Sequence, residues 1–109
     1  QRNIWILKGF QLEFRMLKTL EDLVNIIREK KSSSDETSYT SKLLKDKSLS
    51  VEKVKEEIGE LIEAVENNSN KIHEAADVIY HLLVYLEGNG VRIEDIMDEL
   101  EKRKKKKES

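Results

Sequence analysis

The sequence predicts an all-α fold, a helical bundle of four to five helices. In 109 residues there is no proline and there are only four glycines, so the residues that most often interrupt helices are nearly absent. Apolar residues recur at helical spacing in several segments. Polar stretches rich in serine or asparagine separate those segments and read as turns.

Residues 1–15 begin at Gln1 and carry an apolar patch of Ile4, Trp5, Ile6, Leu7, Phe10, Leu12 and Phe14. They read either as an extension ahead of a domain spanning 16–109 or as an extra helix or strand packed on that domain. No small-residue cleavage site follows the patch, which argues against a secretory signal. Thr19 followed by Asp22 resembles a capping box and opens a helix with Leu20, Leu23, Val24 and Ile27 on one face. Residues 30–37 (KKSSSDET) read as a loop, and 38–45 as a short helix. Ser50 stands where an N-cap belongs, with Glu52 in the first turn that follows. From there a helix over 51–65 carries Val51, Val54, Ile58, Leu61, Ile62 and Val65 on one stripe. Asn67 to Asn70 form a turn, and a second long helix spans 71–87. Gly88 is expected to end it as a left-handed cap. A last helix holds Ile93, Ile96, Met97 and Leu100, and the closing KRKKKKES run reads as a solvated, frayed end.

Composition narrows function. Charged residues make up 39% and the formal net charge is −2, a mixed surface with no overall pull toward nucleic acid or membrane. Without cysteine there is no disulfide, thiol chemistry or cysteine-ligated zinc. No apolar run approaches the roughly 18–20 residues of a membrane span. A cytoplasmic enzyme or binding module is the expectation.

Two clusters carry chemistry. Glu56, Glu57 and Glu60 share an arc of roughly 100° on their helix, with Lys53 on the same arc and the apolar stripe opposite. Taken alone, that helix reads as a solvated charged face. The stretch AADVIYHLLVYL from Ala75 to Leu86 is different, because only Asp77 and His81 in it are strongly polar. Glu74, Asp77 and His81 form one narrow stripe at i, i+3 and i+7. A helix apolar most of the way round is buried, and a buried carboxylate needs a partner or a metal. Across the short turn Asp77 meets Glu56, Glu57 and Glu60, which implies a hard divalent ion between the helices, Mg²⁺ or Mn²⁺ rather than zinc. The plainer alternatives are a structural pair between Asp77 and Lys42 or Lys53, and a satisfied core histidine at His81.

The spacing Glu56-Glu57-x-x-Glu60 followed by Glu74-x-x-Asp77 resembles the EExxE…ExxD signature of the all-α, MazG-type nucleotide pyrophosphohydrolases. Longer segments resemble one family within that group, the phosphoribosyl-ATP pyrophosphohydrolases. SYTSKLL at 38–44 is similar to that family's SYTxKL, and KVKEE at 53–57 to its KVGEE. EAADVIYHLLV at 74–84 is similar to EAADLLYHLLV, and GVRIEDI at 90–96 to GISLEDV. Order and spacing match from about Leu20 to Arg103, which makes Met16 a natural start. Lys55, Thr37 and Arg92 depart from the pattern, the last where a serine would cap the final helix.

The resemblance implies Mg²⁺-dependent hydrolysis of phosphoribosyl-ATP to phosphoribosyl-AMP and pyrophosphate, the second step of histidine biosynthesis, by a homodimer or higher homo-oligomer. It implies Glu57, Glu60, Glu74 and Asp77 as metal ligands. Glu56 is a further ligand or the group that deprotonates water, so Glu56 and Glu57 are the catalytic candidates. Lys42 and Lys53 are candidates for phosphate contacts, and Tyr39 and Thr40 for substrate binding. Two rivals stand: a house-cleaning (d)NTP pyrophosphohydrolase, which shares the carboxylates but not the need for SYTxKL, and a non-enzymatic helical interaction module.

Overall fold

The computed structural model describes residues 18–108, and among them all regular structure is helical. The apolar segment 1–15 lies outside the described residues. Five helices follow in order: α1 over residues 18–32, α2 Tyr39–Lys45, α3 Lys47–Asn67, α4 Lys71–Gly88 and α5 Ile93–Glu108. The all-α bundle expected from the sequence is what forms, and α3 and α4 make its dominant hairpin.

The local chemistry of the helix ends explains where expectation and structure part. Residue 18 is already helical, so Thr19 is not a cap; Asp22 instead pairs with Lys18 one turn back at 2.9 Å. Ser38 does cap α2, its Oγ accepting from the Ser41 N–H at 3.1 Å. Ser50 is not the cap of α3. Asp46 takes that role four residues earlier, its Oδ1 accepting from the Leu49 N–H at 3.0 Å, and Ser50 is buried inside the helix. The 67–70 turn forms as expected, with Asn68 (φ 53°) and Asn70 (φ 55°) left-handed, a conformation asparagine tolerates better than most residues.

Gly88 is the last residue of α4 rather than a left-handed cap. The positive φ falls at Gly90 (75°). At Gly88 the constraint is space, because a Cβ there would stand 3.3 Å from Leu44 Cδ2. The lysine-rich end is helical, α5 continuing through Glu108 with Arg103 paired to Glu99 one turn back, and residues 101–106 are exposed.

The core lies where α1, α2 and the second half of α4 meet. Val24, Ile27, Leu43, Leu83 and Val84 are buried together, with Leu20, Leu44, Leu49, Tyr80 and Ile93 packed around them. Arg28 ties three helices at its edge. Its guanidinium forms a fork on Glu87 (2.9 and 3.0 Å) and also reaches Glu94 (2.6 and 3.0 Å). Lys31 adds a bond from Nζ to the Glu87 carbonyl at 2.7 Å. Burial all round α4 does not hold for the single chain, because Ile72, Ile79 and Leu82 are exposed.

Candidate functional site

The hairpin buries Glu57 of α3 and half-buries Glu74 and Asp77 of α4. Glu57 keeps only 9% of its surface exposed, while Ile58, Ile62 and Val65 on the same helix are 41–56% exposed. Glu56 and Glu60 on the same arc are exposed, while Val51, Val54 and Leu61 of the apolar stripe are half-buried, so Glu57 alone of the arc is buried. The small Ala64 side chain, buried one further turn along α3 from Glu60, shares the inward face and fits a close approach of α4.

Oxygens of Glu57, Glu60 and Glu74 lie within 4.8 Å of one another, and ligand atoms of His73, Glu74 and Asp77 form a second group of the same tightness. Glu74 belongs to both. Glu57 Oε2 and Glu74 Oε2 are buried without a hydrogen-bond partner, although buried polar atoms are nearly always satisfied. Burial pushes the Glu57 carboxyl above its ordinary range, and the negative charges of Glu60 and Asp77 push it further. Burial also raises Glu74, with its bond to Glu60 and that residue's charge adding to it. Three carboxylates converging on two orphaned oxygens, with no thiolate near, form a donor set suited to a hard divalent cation.

The four residues expected as ligands are therefore brought together, with Asp77 in the second group. Asp77 meets His73 at 3.3 Å, not Lys42 or Lys53. His73 is a member of the site that the sequence reading missed, although its position four residues before Asp77 puts both on one helix face. Glu56 lies outside both groups and pairs with Lys53 at 3.1 Å; that contact raises the Lys53 pKa and keeps it cationic. Lys42 is exposed in the last turn of α2.

Helix α2 places the remaining candidates against α4. The Tyr39 hydroxyl lies 2.9 Å from His81 Nε2, and His81 Nδ1 lies 2.8 Å from the Asp77 carbonyl. His81 is 6% exposed and is a satisfied core histidine. Thr40 Oγ1 bonds the Tyr80 hydroxyl. The Tyr39 phenol sits within electrostatic reach of Lys53, Glu57 and Glu56, which sets the start of α2 beside the charged face of α3.

Comparison with known proteins shows the family. The family model for phosphoribosyl-ATP pyrophosphohydrolase matches residues 20–104. The chain belongs to the phosphoribosyl-ATP pyrophosphohydrolase family. It is 44% identical over 93 residues to the phosphoribosyl-ATP pyrophosphatase of Methylobacterium nodulans, covering 78% of this chain and 82% of that one. It is 41% identical to the phosphoribosyl-ATP pyrophosphatase of Methanosarcina acetivorans, covering 83% and 91%. The histidine biosynthesis bifunctional protein HisIE of Pyrococcus furiosus is 40% identical over 82% of this chain and 43% of its own length. No solved structure matches significantly. Among the described residues, no helix is long and apolar enough to cross a membrane.

Proposed function

We propose that the chain hydrolyses phosphoribosyl-ATP between its α and β phosphates, giving phosphoribosyl-AMP and pyrophosphate, with Mg²⁺ or Mn²⁺ held by Glu57, Glu60, Glu74 and Asp77. The observation that carries this reading is the pair of buried, unpartnered carboxylate oxygens on Glu57 and Glu74, inside a three-carboxylate group, in a member of this family. When bound, a divalent cation supplies neutralisation of phosphate charge and acidification of water.

The protein's own groups do the rest. The hairpin holds the acidic groups in place before substrate arrives, so little reorganisation accompanies binding. Glu56, outside the cluster but one residue from Glu57, is the candidate to orient water and take its proton, or to serve as a further ligand. Lys53, kept cationic beside Glu56, and Lys42 offer donors to phosphate oxygens. Tyr39 and Thr40 contact the remainder of the nucleotide. The exposed apolar stripes Ile58, Ile62, Val65 on α3 and Ile72, Ile79 on α4 support a homodimer or a higher homo-oligomer.

The test is pyrophosphate release from phosphoribosyl-ATP beside a dNTP panel, with and without Mg²⁺. Mg²⁺-dependent release from phosphoribosyl-ATP alone is expected, and Asp77→Asn abolishes it while circular dichroism stays helical. Release from dNTPs instead moves the activity to nucleotide-pool cleaning. Full activity in Asp77→Asn removes that residue from the ligand set.

A further inference from the structure

The hydrogen bonds of His81 decide how Tyr39 can be used. A backbone carbonyl only accepts, so His81 Nδ1 donates to the Asp77 carbonyl across 2.8 Å. When the imidazole is neutral, that bond holds its one ring proton on Nδ1 and leaves Nε2 bare and accepting. The Tyr39 hydroxyl, 2.9 Å from that nitrogen, is then the donor. Its one proton is committed inward, and the lone pairs left on the phenolic oxygen can only accept. Both partners are well held. His81 is 6% exposed and wedged edge-on between the Tyr39 and Tyr80 rings, at centroid distances of 5.7 and 5.0 Å. Tyr39 itself is 45% exposed, within electrostatic reach of Lys53, Glu57 and Glu56.

Resting on the proposed activity and on Tyr39 as a substrate contact, we infer that Tyr39 presents a hydrogen-bond acceptor to the nucleotide, and that His81 is the positioning residue that fixes this polarity. Phosphate oxygens are acceptors and do not match it. The matching class is a donor on the nucleoside portion, a sugar hydroxyl or a ring N–H. The site thereby divides its labour: cations and lysines take the phosphates, and Tyr39 reads the sugar or base.

Long-range ¹H–¹⁵N NMR of the full chain tests the polarity without substrate. A proton on Nδ1 and none on Nε2 of His81 is expected; a protonated Nε2 overturns the inference. Kinetics with phosphoribosyl-ATP and Mg²⁺ test its use. Tyr39→Phe raises KM about 3- to 10-fold, the scale of one hydrogen bond, and leaves kcat within about twofold. His81→Leu raises KM similarly, the double variant is no worse than either single one, and His81→Gln, whose amide oxygen accepts the phenol proton, restores most of the loss. A merely structural histidine would instead give additive losses that glutamine does not rescue. An unchanged KM in Tyr39→Phe, or a fall in kcat alone, overturns the inference. Should His81→Leu fail to fold, Tyr39→Phe and the spectrum decide. If the unaltered chain releases no pyrophosphate from phosphoribosyl-ATP, the activity is wrong, and the nitrogen spectrum alone rules on the Tyr39–His81 bond.

Discussion

At Glu57 folding places a carboxylate where its charged form is poorly solvated and one oxygen has no partner. An unmade buried hydrogen bond costs stability, so without a cation this residue works against the fold. Glu57→Gln therefore stabilises the metal-free protein by about 1 kcal/mol, the scale of one such group, as read from urea unfolding in EDTA. The same substitution removes the stabilisation that Mg²⁺ gives the unaltered chain. A variant less stable than its parent in EDTA would show that the Glu57 charge is already satisfied. At this scale the sequence was informative, because an almost wholly apolar α4 marks Asp77 as needing a partner and the carboxylate spacing on α3 offers Glu56, Glu57 and Glu60, while the set Glu57, Glu60, Glu74 and Asp77 came from the family resemblance. His73 escaped notice because a histidine in a first turn, next to an already assigned glutamate, looks like surface. The Tyr39–His81 bond spans 42 residues, and no local pattern signals such a pair.

Between elements, the Arg28 fork joins α1 to the end of α4 and the start of α5. Glu94 is lowered to about 2 by its bonds to Arg28, and Glu87 is lowered by the same guanidinium. Both carboxylates have depressed folded values, so their contribution is fully present above the ordinary value of 4.5 and is lost as pH falls through the folded ones. Urea titrations should show stability dropping between pH 4.5 and about 2, with the drop smaller in Glu94→Gln. Arg28→Met strands a carboxylate that is 5% exposed and destabilises by about 2 kcal/mol at neutral pH, below the usual loss for a fully buried pair because the arginine is partly solvated. An identical acid profile in Glu94→Gln would contradict this assignment. Helix number and order were legible from periodicity and polar turns. The ends were less so. Ser50 and Asp46 are both good cap residues, and only tertiary packing selects the earlier one. Gly88 was read for its handedness when the crowding of Leu44 explains it.

For the molecule as a whole, the described residues bury six hydrophobic side chains, while eleven large ones are exposed. That balance suits a chain that completes its core against another copy, since small domains bury little surface alone. Exposed Ile58, Ile62 and Val65 recur at i, i+4 and i+7 on α3, the pattern of a helix packing against something. Ile62→Asp is expected to shift the sedimentation of the protein toward the monomer, and an unaltered oligomer would place the interface elsewhere. The sequence showed that stripe clearly, but periodicity records only that a face is apolar, not which partner covers it. For that reason the stripe alone could not show that Ile58, Ile62 and Val65 stay exposed in the single chain while Glu57 is buried.

If the carboxylates between α3 and α4 hold the divalent cation on which turnover depends, Glu74 is the ligand whose loss matters most, because it belongs to both groups of ligand atoms. The measurement is Mg²⁺-dependent pyrophosphate release from phosphoribosyl-ATP by Glu74→Gln, beside its far-ultraviolet circular dichroism. A helical protein without Mg²⁺-dependent release is the predicted result. Release at the unaltered rate by the folded variant would contradict it.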